Sequence, residues 1–233
     1  MKTGTKSVLF GAHCFFLHPW FVAWAWIKLY GFPLDLRIWI AFFVHDLGYL
    51  GKPNMDGPEG EAHVELGAKI MHWFDWWKRE EQREIYPSRD TIYEMQKAGW
   101  KPKSTAGPSI LWVRWVRQSK WQNFSMYHSR YYAKNNNAQP SALCFADKLS
   151  FALTPAWLYL PMVTATGEIN EYLKNGNKAN DSGRWTPTGE DKELWHHQLC
   201  KYMIDWVAQH KDGSVDTWTN SERHSDPGSA VWK

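Results

Sequence analysis

Cysteine is scarce in this chain of 233 residues, and the three cysteines, Cys14, Cys144 and Cys200, lie far apart. No Cys-x-x-Cys pair occurs, which excludes the usual thiolate zinc sites and argues against a disulfide framework. Small extracellular domains commonly depend on disulfides, whereas cytosolic proteins keep their thiols reduced. We therefore expect a reducing, cytoplasmic location.

The chain also lacks a strong excess of charge and a long apolar run. Its 27 basic and 24 acidic residues leave a net charge of +3, too small to indicate nucleic-acid binding by electrostatics alone. The apolar residues 20–27 end at Lys28, far short of the roughly 20 residues that span a membrane. His13, His18 and Pro19 interrupt the apolar N-terminal stretch, which argues against a signal peptide. We expect no membrane partner, and the sequence gives no strong signal for nucleic-acid binding.

The alternation of apolar and polar residues that marks a half-buried β-strand does not stand out in the sequence. Helical spacing does, for example at His63, Leu66, Ile70 and Phe74. We therefore predict an all-α fold, a helical bundle. The predicted helices cover residues 8–31 with a new start at Pro19 and an end at Gly31, and residues 36–47, 61–77, 109–121, 124–134, 140–153, 157–174 and 191–210.

Composition divides the chain into two parts and marks one interruption. We assign residues 1–175 to a helical catalytic domain and residues 176–233 to a C-terminal loop, helix and polar tail. The charge run at 78–84 predicts a solvated helical face or a linker. Residues 101–108 contain glycine and proline and predict a loop. We interpret residues 78–107 as an insertion or lid.

Tryptophan is unusually abundant, with 17 residues. Most tryptophans in proteins pack in cores with the indole N–H satisfied, so we expect a packing role for most of them here. A minority could stack on a flat ligand, and exposed members would suit a homo-oligomer.

A histidine and an aspartate, His45 and Asp46, stand side by side at the end of the apolar run 38–44. A charged aspartate in such a setting is rarely left unpaired. More imidazoles and another carboxylate occur on other predicted helices, namely His18, His63, His128 and Asp147. Taken singly, each histidine is more often a satisfied core or boundary residue than a ligand, and Asp147 could be a surface residue near Lys148.

Taken together, four imidazoles and two carboxylates form a ligand set that suits Mn, Fe, Co, Ni or Zn. Mg and Ca prefer sites made of oxygen alone. Helical bundles build metal sites from side chains that several helices direct to one interior point. We therefore predict a site for one or two divalent transition-metal ions, which would lower the pKa of a bound water and supply a nucleophile at neutral pH.

The order of these residues resembles that of the HD-domain metal-dependent phosphohydrolase superfamily. Their local sequences resemble that family too: His18-Pro19-Trp20-Phe21-Val22-Ala23, His45-Asp46-Leu47-Gly48, His63-Val64-Glu65-Leu66-Gly67-Ala68, Tyr127-His128-Ser129 and Ala146-Asp147-Lys148-Leu149. The resemblance covers roughly residues 13–155 without the insertion, and the insertion explains the long gap between His63 and His128.

The resemblance implies an HD-domain-like bundle with a dinuclear metal site in its core and Asp46 as the bridge. The first metal would be held by His18, His45, Asp46 and Asp147, and the second by Asp46, His63 and His128. His13 competes with His18 as the first ligand. Because His18 has the family's offset to the Val-Ala pair, His13 is assigned a place next to the ligands.

One branch of the superfamily is disfavoured. Its cyclic-dinucleotide diesterases carry a lysine directly after His-Asp-x-Gly and a Gly-Tyr-Pro motif. Here Tyr49 follows Gly48, and no Gly-Tyr-Pro occurs.

A phosphate ester needs cations that neutralise the charge of its transition state. Lys52 lies in the loop 48–60 after the His-Asp pair, and Arg130 and Lys134 share one face of the His128 helix. We predict as catalytic residues Asp46, Lys52 and Arg130, and as substrate-binding residues Tyr49, Lys52, Arg130 and Lys134. A solvated face explains Arg130 and Lys134 equally well. Further candidates are Lys148 as a cation and Glu59, Glu61 and Glu65 as proton-transfer partners.

We therefore expect a hydrolase that cleaves a phosphate ester or anhydride of a small molecule, a nucleotide in the first place, with metal-activated water. One alternative is a di-iron oxygenase of the same superfamily that acts on a small organic substrate. Another is a non-catalytic binding module in which the metal only holds helices together. Iron content and O₂ consumption, against phosphate release with Mn, distinguish the two enzymes. The effect of Asp46→Ala on turnover tests the third possibility.

Overall fold

A computed structural model describes residues 1–55, 58–106, 109–181 and 191–212. The predictions for residues 182–190 and for the polar tail beyond 212 lie outside this part of the chain. The described residues form two compact units. The first contains residues 1–73 and the described residues from 121 onwards, and the second contains residues 74–120, within which the predicted insertion lies.

Helices account for most of the described chain. In order they are α1 Thr3–Phe10, α2 His18–Tyr30, α3 Leu36–Val44, α4 Pro58–Glu61, α5 Val64–His72, α6 Arg89–Lys97, α7 Lys120–Met126, α8 Arg130–Asn135, α9 Ala142–Leu153, α10 Ala156–Thr166, α11 Glu168–Asp181 and α12 Lys192–His210. A 3₁₀ turn at Leu47–Tyr49 follows α3, and the strands are β1 Trp77–Ile85, β2 Lys101–Ala106 and β3 Ser109–Arg117. None of the described helices combines the length and apolar character needed to cross a bilayer.

Local sequence explains where the first helices of the bundle begin and end. Pro19 occupies the first turn of α2, where a missing backbone N–H costs nothing. Gly31 ends that helix with a φ of 81°, a conformation that glycine adopts without strain. Asp35 caps α3, because its carboxylate accepts a hydrogen bond from the Arg37 backbone N–H at 3.0 Å. The predicted start at Pro19 and end at Gly31 are confirmed.

The core of the first unit lies where α2 packs on α9 and α9 packs on α12, with α3 packed against both α2 and α5. Fully buried small side chains on α2 and α9, such as Ala25 and Ala146, suit a close approach of these two helices. Trp206 of α12 stacks on Phe145 of α9, with ring centroids 5.3 Å apart. Packing explains only part of the tryptophans: buried ones include Trp26, Trp112, Trp121, Trp195 and Trp206, and exposed ones include Trp20, Trp73 and Trp157.

The second unit contains a three-stranded antiparallel sheet in the order β1–β3–β2, with α6 in the connection between β1 and β2. The predictions of a helix over 109–121 and of a helical face or linker at 78–84 are wrong. β3 is rich in tryptophan, valine and isoleucine, which favour strands. Glu80 of β1 lies opposite Arg114 of β3, and their side chains pair at 2.8 Å. The charge run is therefore a strand, and one of its charges is paired with an opposite charge on the neighbouring strand.

The prediction of a loop at 101–108 is also wrong for residues 101–106, because these residues form β2. β2 lies at the edge of the sheet, and its register shifts between Pro102 and Ser104. Proline lacks a backbone N–H and is tolerated in edge strands and bulges, so its presence does not exclude a strand here. The all-α prediction therefore holds for the described residues of the first unit, and the second unit adds a sheet.

Predicted helices are interrupted close to the candidate ligands. The stretch 8–31 divides into α1 and α2, and His18 is the first residue of α2. The predicted helix 61–77 is shorter, and His63 lies directly before the first residue of α5. These ligands lie at helix ends, although the periodicity placed His63 inside a helix.

The same correction applies to the predicted helix 124–134. It divides into α7 and α8, and His128 lies between them. The predicted helices 140–153 and 191–210 correspond to α9 and α12. The loop predicted at the start of the C-terminal part, from residue 176, is wrong as far as Asp181, the last residue of α11.

Replacement of Gly67 by alanine is expected to destabilise the first unit by about 1–2 kcal/mol net. A Cβ at this position would lie 2.7 Å from the Val44 carbonyl oxygen and 2.9 Å from the Cα of His45. These backbone atoms cannot rotate away, so the clash outweighs the gain in helix propensity of about 1 kcal/mol. Urea denaturation measures the change, with Lys69→Ala on an exposed position of the same helix as control. An unchanged or raised midpoint for Gly67→Ala would contradict the close approach of α5 to α3.

Candidate metal centre

Six side chains converge in the first unit, most of them from helix ends. They are His18 at the start of α2, His45 and Asp46 directly after α3, His63 directly before α5, His128 between α7 and α8, and Asp147 within α9. They form two groups whose donor atoms lie within 4.8 Å of one another: His18, His45, Asp46 and Asp147, and then Asp46, His63 and His128. The structure thus brings together all six residues predicted as ligands, in the two sets that the resemblance implied.

Asp46 belongs to both groups, and each of its oxygens faces one of them. Oδ2 lies 3.2 Å from His18 Nε2 and 3.1 Å from His45 Nε2. Oδ1 lies 3.6 Å from His63 Nε2 and 3.3 Å from His128 Nε2. A carboxylate with this placement can bridge two metal ions, one at each oxygen.

Several of the converging atoms are buried without a hydrogen-bond partner. Among the described residues these include His18 Nε2, His45 Nε2 and Asp46 Oδ2, whose mutual contacts are short but lack hydrogen-bond geometry. Leaving buried polar atoms unpaired is costly. A metal ion between them would satisfy these atoms, so the donor set fits a metal better than it fits a purely hydrogen-bonded cluster.

Backbone carbonyl groups orient three of the imidazoles. Each Nδ1 donates to the carbonyl oxygen three residues earlier: His45 to Phe42 at 3.0 Å, His63 to Gly60 at 2.8 Å and His128 to Ser125 at 2.5 Å. A carbonyl oxygen only accepts, so in the neutral imidazole the Nε2 lone pair faces the cluster. Metal-binding histidines have this arrangement as a rule. Nε2 of His63 and Nε2 of His128 lie 3.1 Å apart. If both present lone pairs, the two repel each other, and a cation bound between them would remove this repulsion.

Electrostatics distinguish the two groups. Burial opposes protonation of His45, but the Asp46 carboxylate outweighs it and raises the pKa of His45 to about 10. Burial and the neighbouring His128 lower the pKa of His63 well below its ordinary value. Burial also works against ionisation of Asp46, yet the imidazoles hold the pKa of this carboxyl well below its usual range. A metal ion must therefore displace a proton from the first group, whereas His63 is already neutral.

Gly48 and Tyr49, which follow the His-Asp pair closely, both contact His63. Gly48 leaves room for the backbone before α5, since a Cβ there would lie 1.7 Å from the His63 carbonyl oxygen. The ring of Tyr49 stacks on His63, with centroids 4.0 Å apart and planes at 7°. Tyr49 thus packs against a candidate ligand, and its assignment to substrate binding stays a prediction.

The candidate cations differ in how close they lie to the centre. Lys148 Nζ donates to Asp147 Oδ2 at 2.8 Å, and despite burial this ammonium group holds the pKa of Asp147 well below its usual range. Arg130 donates to the Tyr202 hydroxyl at 3.1 Å, and its guanidinium lies 5.0 Å from the Trp206 ring centroid. Both partners belong to α12, so Arg130 joins α8 to α12, and its catalytic role stays a prediction.

The remaining candidates lie on the surrounding elements. Lys134 is exposed in the last turn of α8. The carbonyl oxygen of Lys52 accepts the backbone N–H of Gly4 at 3.1 Å, which ties the loop after the His-Asp pair to α1. The three glutamates have nearby donors: Asn54 for Glu59 at 3.1 Å, Ser129 for Glu61 at 3.4 Å and Tyr132 for Glu65 at 3.2 Å. Their predicted roles toward a substrate stay predictions.

Sequence reasoning missed a buried network beside the first group. His13 Nδ1 lies 2.8 Å from Ser7 Oγ, which donates to Glu168 Oε2 at 2.9 Å. Burial raises the pKa of Glu168, while hydrogen bonds from Thr166 and Ser7 act to lower it. Burial also lowers the pKa of His13 to about 4, against the attraction of Asp46. Ser7 and Glu168 are 161 residues apart, so no local spacing could have indicated their contact.

The number of metal ions that a variant loses should depend on which of the two ligand groups the substitution affects. We expect wild-type protein purified with Mn²⁺ or Fe²⁺ to hold two equivalents, His128→Ala to lose one and Asp46→Ala to lose both, because Asp46 is shared. Elemental analysis by mass spectrometry measures the content, and circular dichroism checks the fold. His196→Ala is the matched control, a buried histidine outside both groups. Equal metal content in all four proteins would contradict both sites.

Metal uptake by the metal-free protein at pH 7 is expected to release protons. His45 has a pKa of about 10, so it is protonated at pH 7 and must lose that proton to become a ligand. Metal affinity should therefore increase as the pH is raised from 7 toward 10. Calorimetric titration in two buffers of different ionisation enthalpy counts the protons, and identical heats in both buffers would contradict the expectation.

Comparisons with protein-family models, with curated proteins and with solved structures find no match for this chain. The HD-domain resemblance stays a prediction from the sequence.

Proposed function

We propose that this protein is a metal-dependent phosphohydrolase that cleaves a phosphate ester or anhydride of a small molecule. Nucleotides are the substrate class that we propose first. The observation that carries the proposal is the placement of Asp46, a buried carboxylate with one oxygen toward each ligand group. Two metal ions, one held by each ligand group, would suit phosphoryl chemistry, because such a pair can stabilise the attacking and the leaving oxygen. The order of the ligands along the chain supports the same chemistry through its resemblance to the HD-domain superfamily.

Metal ions held by the two groups would lower the pKa of a bound water and so supply a nucleophile at neutral pH. The chain's own residues hold the geometry. Asp46 sets the spacing of the two groups, and the backbone carbonyl groups orient His45, His63 and His128. Lys148 places a positive charge against Asp147, which reduces the repulsion that an approaching phosphate would meet.

The same donor set, four imidazoles and two carboxylates, fits a second candidate function. Imidazole with carboxylate also suits iron, so a di-iron oxygenase acting on a small organic substrate is the alternative.

A reconstitution screen separates the two enzymes. Metal-free protein is loaded anaerobically with Mn²⁺, Co²⁺, Zn²⁺ or Fe²⁺ and incubated with nucleotides and generic phosphate esters. Phosphate or pyrophosphate release without O₂ supports the hydrolase. Activity that requires iron and consumes O₂, without phosphate release, supports the oxygenase.

Asp46→Ala is expected to lower kcat/KM by about 10³-fold or more, because metal ions contribute several kcal/mol and about 1.4 kcal/mol equals a factor of ten. His196→Ala should keep the wild-type rate, since it lies outside both groups. Initial rates with the best substrate of the screen measure both. Wild-type turnover in Asp46→Ala would overturn the enzymatic proposal. A metal-dependent rise in Tm without any turnover would favour the binding module.

A further inference from the structure

His13, in the segment between α1 and α2, lies beside the metal centre but belongs to neither ligand group. Its Nε2 lies 4.0 Å from Asp46 Oδ2, and its side chain lines the same cavity as His18 and His45. Tyr49 packs against its ring, with centroids 4.6 Å apart. His13 therefore faces the centre from outside the ligand set.

The neighbouring Ser7 determines which ring nitrogen of His13 carries the proton. The Ser7 hydroxyl lies 2.8 Å from His13 Nδ1, donates to Glu168 Oε2 at 2.9 Å and is approached by the His13 backbone N–H at 3.4 Å. A hydroxyl has one proton to donate and two lone pairs with which to accept. Since the proton goes to Glu168, Nδ1 of His13 must donate, and Nε2 presents its lone pair toward Asp46.

Glu168 keeps the serine proton directed away from His13. Its side chain is fully buried and has further donors around it: Ala12 N–H and the Tyr172 hydroxyl, each 3.3 Å from Oε2, and the Thr166 hydroxyl 2.5 Å from Oε1. Gly11 leaves room for the carboxyl group, because a Cβ there would lie 1.7 Å from Oε1. A carboxyl group surrounded by donors in this way acts as an acceptor.

We propose that His13 is a further residue of the metal centre, whose Nε2 accepts a hydrogen bond from the water or substrate hydroxyl beside Asp46. Ser7 and Glu168 are positioning residues that maintain the tautomer this requires. His45 and His63 have the same arrangement: Nδ1–H donates a hydrogen bond away from the cluster, and Nε2 faces the cluster. The reaction that His13 serves rests on the proposed function, whereas the tautomer does not.

Two substitutions separate this role from simple packing. His13→Phe keeps an aromatic ring against Tyr49 and removes the acceptor. His13→Gln gives up the ring but can place an amide oxygen near the position of Nε2. A packing role would be preserved by phenylalanine, and an acceptor role would be preserved in part by glutamine.

Nitrogen-15 NMR of the metal-free protein, labelled at histidine, measures the tautomer without any turnover. We expect the Nδ1–H form of His13 in the wild type and loss of this preference in Ser7→Ala. Ser141→Ala is the matched control, because its hydroxyl donates to the Phe124 carbonyl oxygen at 2.8 Å instead. An Nε2–H form in the wild type, or an unchanged tautomer in Ser7→Ala, would overturn the inference.

The metal-loaded protein provides the functional measurement, with 4-nitrophenyl phosphate as probe. His13→Phe is expected to lower kcat by about 10- to 100-fold, the usual effect of losing one hydrogen bond to a charged or reacting group, with KM and metal content unchanged. His13→Gln should restore part of the loss. Wild-type kcat in His13→Phe would overturn the inference. Absence of phosphate release in the wild type counts against the proposed function instead, and the NMR result then decides on His13 alone.

Discussion

Burial of the Asp46 carboxylate among imidazoles is the constraint on which the arrangement of the first unit depends. Five histidine Nε2 atoms lie within 4.0 Å of its two oxygens. A charge in such a place costs several kcal/mol unless other charges or hydrogen bonds compensate for it. These imidazoles come from four separate parts of the chain, so the start of α2, the end of α3, the start of α5 and the joint between α7 and α8 all lie near one point.

The ends of helices are suited to this task for a physical reason. The last turn of a helix leaves backbone carbonyl groups without partners inside the helix. His45, His63 and His128 each lie just after a helix, α3, α4 and α7 respectively, and each donates Nδ1 to a carbonyl group of that last turn. The hydrogen bond holds each ring against its helix end and aims Nε2 at the cluster, while the carbonyl groups of Gly60 and Ser125 also accept the backbone N–H of the same histidine. Gly48 and Gly67 permit the close approaches that bring α5 beside α3.

How much the sequence could predict depended on whether the signal was local. The six ligand candidates stand in short contexts that indicate a metal site from the sequence alone, and α9 and α12 follow from helical periodicity. The sheet of the second unit does not, because β1 is a charged segment whose strand pairing with β3 joins distant positions, for example Glu80 with Arg114, which are 34 residues apart. The Ser7–Glu168 contact was equally inaccessible, since it joins positions 161 residues apart. Helix breaks at His63 and His128 were missed because apolar spacing continues across them.

The contact between His63 and His128 has a consequence for the segment between them. These residues are 65 positions apart but have their Nε2 atoms at 3.1 Å, and the second unit, 74–120, lies wholly within that interval. In an unfolded chain the unit lengthens the loop between the two histidines about fourfold, and each doubling of a loop costs about 0.6 kcal/mol in closure entropy. An insert of this length therefore adds only about 1 kcal/mol to the entropic cost of joining the two ligands from the unfolded chain. By loop closure alone, the interval between α5 and α7 can therefore hold a unit of this size at little cost to the pairing of His63 with His128.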